Sequence, residues 1–159
     1  MTNKCVLLPV HPKWCKKIAK GEKSVEARKS YPKITTPFKC YIYCTLGGGQ
    51  LTYEEYCGYD MDTYENDFIA NGTVIGEFTC RKLCHVLAYP SIFAGHPMFF
   101  AHALKEACLT EDEVETYGGG KNVFGWMISD LKIYDKPKLL SEFGLSRAPQ
   151  SWCYVKEVA

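Results

Sequence analysis

The chain has 159 residues, 47% of them apolar, and a formal net charge of +1. That is enough chain to bury a core within one domain, and no run of 18 apolar residues occurs to form a membrane-spanning helix. The small net charge hides a segregation. Residues 1–40 hold ten lysines and arginines against two glutamates, and the remainder is acidic, so a basic surface suited to phosphate-bearing partners is expected from the first part of the chain.

Cys5-Val6-Leu7-Leu8-Pro9-Val10 predicts a first strand, buried on both faces or nearly so. Pro12 suits the first turn of the helix that follows, and Trp14 and Ile18, four apart, share the face that pins it to the core. This helix covers 12–20 and stops at Gly21, because glycine takes the left-handed conformation after a helix without steric cost. Residues 23–29 read as a strand. Side chains alternate along a strand, so Val25 and Ala27 take one face and Ser24, Glu26 and Arg28 share the other. Lys23 stands at the entry of that strand. A hydroxyl, a carboxylate, a guanidinium and an ammonium thus gather beside an apolar core.

This strand ends near Tyr31-Pro32, and Phe38 to Thr45 predicts the next, rich in aromatic and β-branched residues. Gly47-Gly48-Gly49 opens an expected insertion over about 47–68. Residues 50–67 carry Glu54, Glu55, Asp60, Asp62, Glu65 and Asp67 and no lysine or arginine, with Tyr53, Tyr56, Tyr59 and Tyr64 interleaved. The aspartates lack calcium-loop spacing. Contact with the basic N-terminal part is the simpler role for this segment; docking of a protein partner is the other. Residues 72–87 predict one long strand, bent or bulged at Gly76, with Glu77 near its middle. A helix over 99–108 follows. Thr110-Glu111-Asp112-Glu113 is a capping box opening another, which ends before Gly118-Gly119-Gly120. Residues 123–134 give a further strand, 137–140 an irregular stretch, and 151–155 the last strand. Strands dominate and helices fill the long connections. The expected fold is α+β, a small, partly open β-barrel decorated by short helices, in one domain over 1–159.

Nine cysteines is a high and odd count. The spacing Cys40/Cys44 and Cys80/Cys84 puts each pair on one strand face but about 13 Å apart, too far for a shared metal. They read as thiols serving as small buried apolar residues, and no metal or cofactor is expected. Met1 to Lys4 leads into only a short apolar run, without a cleavage site, so a cytoplasmic protein with no membrane partner is expected.

A first strand, a helix ending in G-x-K, then E-x-R on the next strand resembles the ASCH domain of the PUA-like superfold, here at Gly21, Lys23, Glu26 and Arg28. The resemblance continues at Val74-Ile75-Gly76-Glu77-Phe78, at Gly125-Trp126-Met127-Ile128 and at Pro149-Gln150-Ser151-Trp152. In particular the chain looks like the stand-alone ASCH proteins of low-GC Gram-positive bacteria and their prophages. The resemblance implies a β-barrel with a cleft beside the first helix, lined by the motif residues, that binds RNA or modified nucleosides. Some members of the family cleave an acetyl amide from a modified cytidine with a lysine-activated threonine. Glu26 occupies that threonine position here, and a serine, Ser24, stands next to Lys23, so the hydrolase activity does not carry over directly.

The residues themselves support two chemistries. For binding, Lys23, Arg28 and Lys17 supply cations, and arginine holds a phosphate by two parallel hydrogen bonds. Glu26 accepts only, which suits an exocyclic amine of a base, and Tyr41, Tyr43, Trp126 and Trp152 offer stacking surfaces or core packing. The bland alternative is a Glu26–Arg28 pair that merely neutralises itself on a barrel wall. For catalysis, Lys23 with Ser24 or Glu26 would perform hydrolysis of a modified nucleoside, with Glu77 as acid or base from the next strand. A ribonuclease would recruit His11 beside the lysine; His85, His96 and His102 show no metal or triad spacing.

Overall fold

The computed structural model describes residues 3–52, 55 and 69–159. β1 (Lys4–Val10) is followed by α1 (Pro12–Ala19), β2 (Val25–Arg28), β3 (Phe38–Cys44) and β4 (Val74–Ala88). Then come β5 (Met98–Phe99), α2 (Ala101–Glu106), α3 (Glu111–Gly118), β6 (Val123–Lys138) and β7 (Cys153–Lys156), with short 3-10 turns at Ser91–Phe93 and Leu140–Phe143. The strands form one sheet in the order β2-β6-β4-β3-β1-β7, with β5 on β4. The sheet is not closed, and β2 and β7 lie at the ends of this order. β1 and β3 pair in parallel, which requires a crossover, and α1 with β2 supplies it. The remaining pairings are antiparallel.

The sheet is long and twisted because β4 and β6 run alongside each other through several register shifts. One falls at Gly76, where a Cβ would lie 2.5 Å from the Lys132 carbonyl oxygen. The expected bulge is there, and only glycine fits it. β1 is apolar on both faces for a reason. Val6, Leu8 and Val10 pack with Cys15 and Ile18 of α1, while Cys5 and Leu7 pack on the opposite side with Tyr41, Tyr134 and Phe143. A third cluster holds α2 and α3 against Val25, Ala27 and Val86.

Cys5, Cys15, Cys40, Cys44 and Cys80 are buried as free thiols, as small apolar residues would be. Among the described residues no group of side chains is arranged to hold a metal ion, and no helix is long and apolar enough to cross a membrane. The acidic, tyrosine-rich part of the expected insertion lies outside the described residues except for Glu55. Its base is described: Thr52 and Ile69 form an antiparallel bridge, and the Asn71 side chain donates to the Thr45 and Gly49 carbonyls. Glu55 pairs with Lys16 of α1 at 2.8 Å, a contact with the basic N-terminal part.

Some elements are shorter than the sequence suggests. The strand expected over 23–29 covers 25–28, and the helix expected over 99–108 covers 101–106, because Met98–Phe99 pairs with β4 first.

Candidate functional site

The site is built by the end of α1. Gly21 adopts φ 76° and its N–H donates to the Ile18 carbonyl. The Lys17 carbonyl then accepts from both Glu22 and Lys23 N–H groups, at 2.9 and 3.2 Å. This wrap turns Lys23 inward, where it is 2% exposed. Its Nζ donates to the Ala107 carbonyl at 2.6 Å and sits 4.6 Å from the centre of the Trp14 ring. Burial pushes the Lys23 pKa down, against the pull of the Glu26 carboxylate.

β2 carries the other two groups. Val25 and Ala27 pack towards α2 and α3, so Glu26 and Arg28 emerge on the opposite side. Arg28 Nε lies 3.4 Å from Glu26 Oε1, and the guanidinium also donates to the carbonyls of Ser151, at 3.2 Å, and Pro9. Three chain segments therefore fix the guanidinium plane. Glu26 is 5% exposed, and its second oxygen, Oε2, is buried with no hydrogen-bond partner among the described residues.

Lys23, Glu26 and Arg28 line an open cleft of about 1020 Å³. His11 and Trp14 at the start of α1 form one side, with Tyr43 and Thr45 at the end of β3. Asp112, Glu113, Thr116 and Tyr117 of α3 form the other, and Pro149–Ser151 close one end. Thr45 Oγ1 lies 3.3 Å from His11 Nδ1. Lys29 Nζ stands 4.9 Å from the Tyr117 ring, and burial pushes the Tyr117 phenol pKa up.

Of the residues singled out from the sequence, Lys23, Glu26, Arg28, Tyr43 and His11 meet in this cleft. Ser24 does not. The strand begins only at Val25, so the alternation fails at its entry; the Ser24 hydroxyl donates to the Glu106 carboxylate and its N–H to the Glu106 carbonyl. Lys17 lies on the outer face of α1, paired with Glu22 at 3.5 Å, and serves the cleft only through its carbonyl. Glu77 stands elsewhere on the sheet, accepting from the Tyr134 hydroxyl at 2.6 Å and facing Lys39 at 3.5 Å. Trp126 is 0% exposed in the core, its indole N–H on the Ser30 carbonyl, and offers no ring face to a ligand. Trp152 packs edge-on against Trp126 and donates to Ser30 Oγ. Tyr41 is buried, its hydroxyl accepting from Val158 N–H. His85 packs on Phe100 and Phe124, away from the cleft.

The sequence reading missed Trp14 and the α3 wall. Trp14 was legible as a helix residue of the core-facing stripe, and it does pack on the core, but one part of its ring also faces the cleft. The α3 residues belong to a capping box, realised here with Thr110 and Glu113, and nothing in that motif says what the helix borders.

No family model and no curated protein matches the chain. Solved structures do. An ASCH protein from Zymomonas mobilis superposes with a TM-score of 0.63 at 18% identity, over 94% of this chain and 85% of that one. A tyrosine-to-phenylalanine variant and a serine-to-alanine variant of the same protein give TM-scores of 0.63 at 17% identity, over 94% of this chain and 88% and 86% of theirs. The chain is thus similar in fold to ASCH proteins: an α+β, PUA-like arrangement around an open sheet.

Proposed function

We propose that this ASCH-fold chain binds a nucleobase-bearing ligand, RNA or a nucleotide, in the cleft beside α1. One observation carries the reading: Glu26 lines the cleft, and its Oε2 is buried without a donor among the described residues. A buried acceptor left unpaired costs about 1–3 kcal/mol, more when charged, so a ligand N–H that reached it would bind favourably. An exocyclic amine of a base fits that need, since an ionised carboxylate only accepts. Arg28, itself held by the Ser151 and Pro9 carbonyls, pairs with Oε1 and fixes the carboxylate in place. Trp14, Tyr43 and Tyr117 are the aromatic side chains of the walls, and stacking on such a ring contributes roughly 1–3 kcal/mol per base where it is used. A single-stranded or flipped base enters such a cleft; a duplex does not.

The test is equilibrium binding of ribonucleosides and short oligoribonucleotides to the wild type and to Glu26→Gln. The amide presents either one acceptor fewer or a donor facing the ligand's donor. Affinity is expected to fall at least tenfold, about 1.4 kcal/mol. An unchanged affinity for every ligand that binds removes the reading.

Hydrolysis of a modified nucleoside, or of RNA, is the second reading, and the downward push on Lys23 favours it, since a lysine base needs a lowered pKa. Lys23 and Glu26 are its candidates. Ser24 and Glu77 are not, being turned to Glu106 and to Tyr134. Turnover of N-acetylcytidine or RNA that is lost on Lys23→Met distinguishes it from binding alone.

A further inference from the structure

A second, smaller cavity of about 310 Å³ lies between the outer face of α1 and the segment 48–50. Lys13, Lys16, Lys17 and Lys20 line it with Glu22, and Glu55 reaches Lys16 at 2.8 Å, so four cations meet two carboxylates among the described residues. The large cleft is balanced by comparison: Lys23, Arg28 and Lys29 face Glu26, Asp112 and Glu113. Its buried cations are also engaged, Lys23 with Ala107 and Arg28 with Glu26, Pro9 and Ser151. A polyanion gains little from a balanced cleft and much from the lysine groove.

Helix electrostatics account for only part of the groove. Lys16 and Lys17 lie in the last turn of α1, where the helix dipole favours cations, and they hold Glu55 and Glu22. Lys13 lies in the first turn, where the dipole disfavours a cation, and that turn contains no acidic residue. Among the described residues neither Lys13 nor Lys20 has an ion-pair partner.

Groove and cleft adjoin. Lys13 Nζ, of the groove, stands 4.7 Å from the centre of the Trp14 ring, and Lys23 Nζ, of the cleft, stands 4.6 Å from it. One indole, itself in the cleft wall, thus meets a lysine of each cavity. Gly48 lines the groove at φ 93°; a Cβ there would lie 3.0 Å from Nδ1 of His11, which lines the cleft. Gly48 of the groove and His11 of the cleft are therefore neighbours.

We propose that the groove is the phosphate-binding subsite for a strand continuing from a base held in the cleft, so that the ligand is single-stranded RNA and not a free nucleoside. The inference rests on the cleft reading above. Its test compares a short mixed-sequence oligoribonucleotide with the common ribonucleosides over a series of salt concentrations. The proteins are the wild type, the exposed-surface variant Lys13→Gln/Lys20→Gln, and Glu26→Gln. The inference expects the oligonucleotide to bind the wild type more tightly than any nucleoside. It expects the double variant to lose about tenfold in oligonucleotide affinity and about 1.4 in the slope of log affinity against log salt, two phosphates at about 0.7 each. Nucleoside affinity should not move. An unchanged oligonucleotide affinity and slope in the double variant overturns the inference, and if Glu26→Gln still abolishes nucleoside binding the cleft reading stands alone. Oligonucleotide binding that needs the lysines but ignores Glu26→Gln overturns both, because the strand then does not pass through the cleft.

Discussion

Glu26 and Glu77 are both carboxylates on sheet strands, each beside a cation, and residue type alone does not rank them. Their surroundings do. Glu77 accepts from the Tyr134 hydroxyl and faces Lys39, which also holds Glu157 at 2.7 Å; next to them Tyr41 ties down Val158. That cluster closes on itself and fastens the end of the chain to the sheet. Glu26, which lines the cleft, has Arg28 on one oxygen and, among the described residues, nothing on the other. A charged cluster whose groups satisfy one another is structural; one that leaves a buried acceptor unpaired beside a cavity is the better candidate for ligand binding.

Substitutions can break this contrast. The largest expected effect is at Arg28. Removing it leaves Glu26 buried beside no direct ion-pair partner, and breaking a buried pair costs about 3 kcal/mol, so Arg28→Ala should lower the urea midpoint clearly without changing the slope of the unfolding curve. Next comes Glu77→Ala, which removes the carboxylate that accepts from the Tyr134 hydroxyl and faces Lys39; losing a hydrogen bond to a charged group costs about 1.5–3 kcal/mol, and ligand affinity should stay as it is. Glu26→Gln is expected to do the reverse, holding stability within about 1 kcal/mol of the wild type, since a buried charge is expensive to keep, while binding fails. If Glu77→Ala weakens binding as much as Glu26→Gln does, the contrast between the two clusters is wrong.

How much of this was legible in the sequence follows from the range of the forces involved. Gly21, Lys23, Glu26 and Arg28 were readable because a helix stop and a strand start are local events, settled within a few residues. The bulge at Gly76 was readable because a glycine inside a strand pattern has few other causes. Ser24 was misplaced because its partner, Glu106, is far away in sequence and wins the hydroxyl before the strand alternation begins. Trp126 stood between a stacking surface and core packing because the sequence cannot say which face of β6 meets α1 and β3; packing against Phe38 buries it. The unpaired oxygen was the least legible feature of all, since it is defined by the absence of partners on every described element around it.

The smallest expected effect compares two lysines. Burial lowers the Lys23 pKa below the ordinary 10.5, whereas the Glu157 carboxylate raises that of Lys39 above it. The signs are opposite. For Lys23 the unfolded chain binds more protons between its folded pKa and 10.5, so its share of stability grows as pH rises through that window. For Lys39 the share is complete below 10.5 and is lost as pH rises through its higher folded value. Melting curves blur the two, because burial also raises the pKa of Cys5, Cys15, Cys40 and Cys80, and thiols held protonated in the fold cost stability above pH 9.0, where the unfolded chain ionises. The clean readout is residue by residue, from the carbon-13 shift of each Cε in selectively labelled protein with a reductant present. Lys23 should titrate first and Lys39 last. A saturating ligand in the cleft should move the Lys23 midpoint and leave Lys39 where it was, whereas equal shifts at both would mean that the ligand acts on the whole fold and not at the open carboxylate.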